Sequence, residues 1–351
     1  MKLKKLFAGI VAVAMMATMA MPGFAATGAT DPAKAPVDNK VSLKKTYTLA
    51  GLGTSPVETF DFTAQYLYGE MGATDISAVP TISSAEFAAG GAKTSDNTKD
   101  VTVDFSNVSY KSVGIYYYKI SETNKKTAGV TYAPAIGMKV TVGNKDDVGT
   151  DLEVKSVSFW TLGVNDSFAT KISGDDAFEN TYTANTLRMK KTVKGDMGNK
   201  TNDYFTYKLT LKGAENVVYP ASYEVKGGSD STNPTEVTVV AGEEKSYTFK
   251  LKHNDEIYIE NLPAGIEWSV TEAAADGYTA YTEYSLLKKT EGSRFSGTTN
   301  ATEVKAEFTN VKEGTVDTGV ILDNAPYIAL LTIVAAGAVF MVIKKRRSYD
   351  D

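Results

Sequence analysis

The chain of 351 residues contains no cysteine and only one histidine, His253. Without cysteine, disulfides are excluded as covalent cross-links, so any such link has to use other side chains. The chain offers no second histidine and no cysteine that could bind a metal together with His253, and therefore neither a metal site nor a cofactor is predicted. A glycine-rich phosphate loop and a serine-nucleophile elbow are also missing. These absences argue against an enzyme.

A surplus of basic residues is missing too. Acidic residues number 42 against 37 basic ones, which gives a formal net charge of −5. Nucleic-acid binding is disfavoured by this balance, because phosphate backbones are recognised by clustered lysine and arginine. An acidic surface is instead typical of a soluble protein in a crowded environment.

Long runs with helical periodicity are absent before the C-terminal apolar segment. Most of the chain consists of segments rich in Val, Thr, Tyr and Phe in which apolar and polar residues alternate, and Gly, Asn, Asp and Ser separate these segments. Residues 101–105, 204–209 and 246–249 are examples, and this pattern is typical of strands in β-sandwiches. The sequence therefore predicts an all-β fold between its two ends.

The N-terminal end has the features of a secretory signal peptide. Three lysines precede an apolar run over residues 6–19, and small residues follow at Gly23 and Ala25. A run of this length is too short for a stable membrane anchor, and small residues at those two positions suit a signal peptidase. We predict a signal peptide over residues 1–26 and a linker over residues 27–39.

The C-terminal end, residues 315–351, has the order of a membrane-directed tail. A short peptide is followed by an uncharged apolar segment over residues 326–343 and then by four basic residues. The apolar length suits a transmembrane helix, and the basic residues place the remainder of the chain outside the cell. The short peptide consists of Val316, Asp317, Thr318 and Gly319. Two interpretations remain open, a plain single-pass anchor and a signal that is cleaved.

The part between the two ends is internally repeated. Leu43-Lys44-Lys45-Thr46 is similar to Met189-Lys190-Lys191-Thr192, and Phe178-Glu179-Asn180 is similar to Phe308-Thr309-Asn310. A further pair of similar segments ends at Glu122 and Glu272. The order Lys, Glu, Asn is the same in both copies, which predicts two domains over residues 40–183 and 184–314.

Each repeated polar residue is expected on a core face. Side chains two apart share one face of a strand, and Lys45 shares its face with Leu43 and Tyr47. Burial lowers the pKa of a lysine and raises that of a glutamate, so that a neutral amine and a neutral acid coexist. Such an amine is able to attack an asparagine carboxamide while the acid transfers protons. A buried salt bridge with asparagine as a bystander is the alternative.

The order, the spacing and the tail resemble the major pilins of Gram-positive bacteria, especially the streptococcal FctA type. The resemblance implies two tandem Ig-like (Cna-B-type) β-sandwich domains, each closed by a Lys–Asn isopeptide bond that a Glu assists. By analogy Lys45, Glu122 and Asn180 form one triad, and Lys191, Glu272 and Asn310 form the other.

The resemblance also implies a cell-wall sorting signal that a sortase cleaves between Thr318 and Gly319. Asp317 stands where the usual signal has proline. The Thr318 carbonyl is then passed to a lysine of the next subunit, for which Lys171 is the candidate by position. The expected protein is a secreted subunit at the cell surface, joined to the wall or to a pilus.

The expected partners are a sortase, other copies of the chain, peptidoglycan, tip and base pilins and a host surface ligand. The alternative function is a monomeric wall-anchored adhesin, or an ancillary pilin, that binds a host ligand. This alternative shares the signal peptide, the tail and the cross-linked domains, but it needs no lysine for polymerisation.

Overall fold

A computed structural model describes residues 33–314, except residues 75, 77, 94–96, 147–149 and 286 and the side chain of Asp176. The predicted signal peptide and the predicted tail with Val316, Asp317, Thr318 and Gly319 lie outside the described residues. Within these residues, no helix has the length and apolar character needed to cross a membrane.

The first half of the described chain consists of strands and three short 3-10 turns. The strands are β1 Lys40–Gly51, β2 Glu58–Phe60, β3 Phe62–Glu70, β4 Thr81–Ile82, β5 Ala85–Phe87, β6 Thr98–Asp104, β7 Gly114–Glu122, β8 Val130–Thr131, β9 Ile136–Asn144, β10 Leu152–Leu162, β11 Phe168–Ile172 and β12 Phe178–Lys194. The 3-10 turns are Gly91–Lys93, Val164–Asp166 and Gly174–Asp176.

The second half adds strands alone. They are β13 Phe205–Lys212, β14 Tyr223–Gly227, β15 Glu236–Val237, β16 Glu244–Leu251, β17 Glu256–Pro263, β18 Glu267–Glu272, β19 Thr279–Tyr284, β20 Lys289–Glu291, β21 Arg294–Thr298 and β22 Val304–Val311. The prediction of an all-β fold is confirmed for the part of the chain that the structure describes.

One strand, β12, belongs to both halves. Its first part pairs with β1 in parallel and with β8, and its second part pairs with β17 and, in parallel, with β22. These pairings join strands of both halves into one 11-stranded sheet. In each half β12 therefore lies beside the strand at the other end of that half, β1 in the first and β22 in the second.

A second sheet covers this shared sheet in each half. In the first half it has the order β11-β10-β9-β7-β3, and in the second half the order β16-β13-β18-β21. Residues of both sheets make up one apolar core per half, the first ending at Ala184 and the second starting at Leu187. The two cores meet along β12, where buried residues continue from one half into the other.

Hydrogen bonds from loop residues connect the two halves at their junction. The N–H of Ala128 donates to the carbonyl of Val218 over 2.9 Å, and the N–H of Val218 donates to the carbonyl of Lys126 over 2.8 Å. On another loop, the N–H of Thr54 donates to Oδ1 of Asn261 over 2.9 Å. Because β12 runs through the junction without a break, these loop contacts add to the connection that the continuous strand already makes between the halves.

Candidate functional site

The same register recurs at the parallel strand pair of each half. Lys45 on β1 lies opposite Phe178 on β12, and Lys191 on β12 lies opposite Phe308 on β22. In both cases the asparagine follows the phenylalanine by two positions and so faces the same side of the sheet. The lysine and the asparagine of each half are therefore diagonal neighbours on the core side.

In the first half, Glu122 joins the lysine to the asparagine. Nζ of Lys45 lies 3.1 Å from Oε1 of Glu122 and 3.2 Å from Oε2. Nδ2 of Asn180 donates to Oε1 over 2.7 Å, and the backbone N–H of Ala133 donates to Oδ1 of Asn180 over 2.8 Å. The Lys45 and Glu122 side chains are fully buried.

In the second half, a single oxygen of Glu272 makes both contacts. Nζ of Lys191 lies 2.6 Å from Oε1, and Nδ2 of Asn310 donates to the same oxygen over 2.7 Å. Lys191, Glu272 and Asn310 are all buried. Oε2 of Glu272 and Oδ1 of Asn310 have no hydrogen-bond partner among the described residues. The two clusters thus share their residue types and differ in how the remaining oxygens are satisfied.

Burial changes the ionisation of these groups. Loss of hydration lowers the pKa of Lys45 to about 8 against the opposing effect of Glu122, and in the same way lowers the pKa of Lys191 to about 8. Burial also raises the pKa of Glu122, although Lys45 and Asn180 work in the opposite direction. All these shifts favour the neutral forms of the amine and the acid.

Aromatic rings cover both amines. Nζ of Lys45 lies 4.2 Å from the ring centroid of Phe60, and Nζ of Lys191 lies 3.9 Å from that of Phe205. The rings exclude water from the amines while their faces interact favourably with a positive charge. Neither ring was predicted from the sequence, and neither was the contribution of Ala133. Only the last could not have been found from a side-chain pattern, since its contribution is a backbone N–H.

The arrangement suits an acyl transfer within the chain. An amine, a carboxamide and a carboxyl group that contacts both are held together in a dry core, which replaces a bimolecular encounter by a fixed geometry. Each side chain predicted for the two triads lies in one of the two clusters. Lys171 is in neither: it lies half-buried on β11, the edge strand of its sheet, opposite Trp160 on β10.

Comparisons with known proteins bear on both halves. The profile of the Spy0128-like isopeptide containing domain, FctA, matches residues 41–183, and that of a domain of unknown function, DUF7601, matches residues 185–312. A pilin of Streptococcus pyogenes serotype M1 is 33% identical over 268 residues, which cover 72% of this chain and 74% of that protein. The chain belongs to the FctA family of pilins. It is accordingly a structural pilus subunit and not an enzyme.

Two further similarities accompany this assignment. The crystal structure of the major pilin from Streptococcus pyogenes aligns with this pilin at a TM-score of 0.48 and 24% identity, covering 79% of this chain and 99% of the other. The pilus tip adhesin Cpa of Streptococcus pyogenes is 30% identical over 127 residues, which are 36% of this chain and 15% of the adhesin.

Proposed function

We propose that this pilin is a covalently polymerised subunit of a surface pilus, and that an intramolecular Lys–Asn isopeptide bond closes each of its halves. The observation that carries the proposal is the repeated cluster. In both halves a buried carboxylate contacts a lysine amine and an asparagine carboxamide at once, and the lysine has the same register to the asparagine strand. A salt bridge alone requires no such repeated asparagine.

The bond-forming step balances without an outside reagent. The neutral amine of Lys45 attacks Cγ of Asn180, so that a new C–N bond forms while the bond from Cγ to Nδ2 breaks. Glu122, in the neutral form that burial favours, delivers its proton to the leaving nitrogen, which departs as ammonia, and takes up a proton from the attacking amine. Lys191, Glu272 and Asn310 carry out the same exchange in the second half. The product of each is an amide between the first and the last strand of that half.

The same proposal extends to the fold type and to the ends of the chain. Each half is an Ig-like domain of the Cna-B type. Residues 1–26 direct secretion, and residues 326–343 hold the precursor in the membrane until a sortase acts. The enzyme cleaves between Thr318 and Gly319 and transfers the Thr318 acyl group to an amine, either in another subunit or in the cell wall. Support comes from the order of these segments in the sequence.

The proposed acceptor amine between subunits is that of Lys171. Its strand, β11, leads through the turn Gly174–Asp176 into β12 at Phe178. Because β12 and β22 are parallel and Val311 at the end of β22 lies beside Lys194, the start of β12 lies at the opposite end from Val311. A head-to-tail fibre needs its acceptor amine at that opposite end. Tip and base pilins, peptidoglycan and a host surface ligand are the partners proposed for the assembled fibre.

The intact mass of recombinant residues 27–318 tests the central claim. A deficit of two ammonia masses relative to the sequence is expected, and a tryptic digest should contain one branched peptide joining Lys45 to Asn180 and one joining Lys191 to Asn310. The Asn180→Ala,Asn310→Ala double variant serves as the matched control with no deficit. A wild-type chain with its full sequence mass would reduce both clusters to buried ion pairs and overturn the proposal.

A further inference from the structure

Among the buried polar atoms that have no hydrogen-bond partner in the described residues, three lie in or beside the cluster of the second half. They are the hydroxyl of Tyr207, Oε2 of Glu272 and Oδ1 of Asn310. Buried polar atoms are almost always paired, so three unpaired ones in the same cluster call for an explanation. The hydroxyl of Tyr207 is able to donate, and the two other atoms are able to accept.

The register places the phenol beside the carboxylate. Tyr207 on β13 lies directly opposite Glu272 on β18 in an antiparallel pair, where side chains on one face are close neighbours. The ring of Tyr207 also packs against Phe308, two positions before Asn310, with 5.0 Å between the ring centroids. Burial raises the pKa of Tyr207 well above its ordinary value, and both the charge of Glu272 and a hydrogen-bonding interaction with its side chain add to this rise. The phenol therefore stays protonated and remains a donor.

The first half shows what replaces this donor when it is absent. Phe62 on β3 lies opposite Glu122 just as Tyr207 lies opposite Glu272, and its ring packs against Phe178 with 4.8 Å between centroids. Phe62 has no hydroxyl, but there Lys45 contacts both oxygens of Glu122. In the second half Lys191 and Asn310 share one oxygen, and the other remains free for a donor.

We propose that Tyr207 is a positioning residue for isopeptide formation in the second half, acting through a hydrogen bond from its hydroxyl to Oε2 of Glu272. This inference rests on the bond chemistry proposed above. The hydrogen bond holds the carboxyl group so that Oε1 faces the amine of Lys191 and the carboxamide of Asn310 together. Hydrogen bonds of this kind are often long before the reaction and tighten as it proceeds.

The test compares the rates of the two bonds within one chain. Cell-free synthesis of the full chain is stopped at timed intervals, and the two branched tryptic peptides are quantified by mass spectrometry. In Tyr207→Phe, the Lys191–Asn310 peptide should accumulate about tenfold more slowly, as expected for one hydrogen bond to a charged group. The Lys45–Asn180 peptide should keep its wild-type rate. The substitution reproduces the phenylalanine that the first half already carries, so that the volume of the core is retained.

Tyr223→Phe is the matched control, because its hydroxyl is also buried and unpaired in the second half but belongs to β14. It should leave both rates unchanged. A wild-type rate for the Lys191–Asn310 peptide in Tyr207→Phe would overturn the positioning role. Failure of the wild-type chain to form that peptide at all would instead overturn the bond itself, so the two failures are distinguishable.

A second measurement separates positioning from a purely structural role. In an Asn310→Ala background no bond forms in the second half, and the melting temperatures with and without Tyr207→Phe can be compared directly. Removing an unpaired buried hydroxyl should leave the stability equal or higher. A clear loss of stability in this background, with a parallel loss of bond formation, would assign the hydroxyl a structural role and overturn the proposal.

Discussion

The backbone N–H of Ala133 donates to the carboxamide oxygen of Asn180 over 2.8 Å. When an amine attacks the carboxamide carbon, negative charge develops on this oxygen, and a preorganised donor at this distance stabilises it. Asn310 has no such donor among the described residues. The two clusters should therefore differ in reactivity although they contain the same three residue types.

This difference predicts that the Lys45–Asn180 bond forms before the Lys191–Asn310 bond. Removal of one oxyanion donor typically slows an acyl transfer by about 10²- to 10³-fold, and part of this factor should separate the two rates. Timed quenching of cell-free synthesis, with both branched peptides quantified, measures the order. Equal rates, or a faster second bond, would show that the Ala133 contact does not govern the chemistry.

Glu122→Gln should abolish the first bond and leave the second intact. The amide keeps the size of the side chain and one acceptor oxygen, but it cannot carry the proton from the amine to the leaving group. We expect a mass deficit of one ammonia in place of two and a loss of about 4 to 5 kcal/mol in the first half, as for opening a covalent loop of this size. Calorimetry with mass spectrometry checks both.

The control for this prediction is Glu179→Gln. Glu179 is a neighbour of Asn180 on β12 but points to the exposed face of the sheet. The substitution Glu179→Gln removes a nearby carboxylate without changing a residue of the cluster, and both bonds should form in this variant. Loss of the first bond here as well would mean that overall charge, and not the Glu122 contacts, controls the reaction.

An unlinked second half should become more stable as the pH rises from about 8 to 10.5. In Asn310→Ala the amine of Lys191 stays free, and burial lowers its pKa to about 8 from the ordinary 10.5. Between these values the unfolded chain binds the proton that the folded chain has lost, so stability increases with pH, by at most about 3 kcal/mol.

Urea unfolding at several pH values, followed by fluorescence, measures this dependence. A Trp160→Phe background leaves Trp268, which lies in the core of the second half, as the reporter. Lys191→Met in the same background is the control and should lose the rise. A stability that is flat or falling over this range in Asn310→Ala would show that the amine is not desolvated as the structure indicates.

Lys171→Arg should prevent linkage between subunits while leaving both internal bonds intact. Arginine keeps the positive charge but offers no amine nucleophile at neutral pH. The expected result is a monomer where the wild type gives a ladder of covalent multimers when it is produced with its sortase in a Gram-positive host. Denaturing gel electrophoresis resolves the two.

Lys34→Arg is the informative comparison for this experiment. Lys34 also lies near the start of β12, with its Nζ 3.3 Å from the carbonyl of Ser42 and 3.9 Å from Oδ1 of Asp175. The substitution Lys34→Arg should leave the ladder of covalent multimers unchanged. A ladder that persists in Lys171→Arg and disappears in Lys34→Arg would transfer the acceptor role to Lys34.

Much of the fold and of both clusters followed from local sequence pattern. Lys45 could be placed on a core face because Leu43 and Tyr47 flank it at a spacing of two, and the same spacing applies to the other five residues. The sharing of β12 between the halves could not be predicted, because the register between β1 and β12 is set by tertiary packing over a long sequence separation. The contributions of Ala133 and of the Tyr207 hydroxyl could not be predicted for the same reason. Each comes from a loop or strand whose own sequence does not indicate that it lies beside the cluster.

The shared strand has a consequence for resistance to proteases. With both proposed bonds formed, every residue from Lys45 to Asn180 and from Lys191 to Asn310 belongs to a closed covalent ring, and a single cut inside a ring leaves the subunit in one piece. Only residues 181–190 lie between the rings. These residues are paired within the sheet and largely buried, whereas a protease needs an exposed, mobile chain. The only stretch between the rings where one cut would sever the subunit is thus among the least accessible.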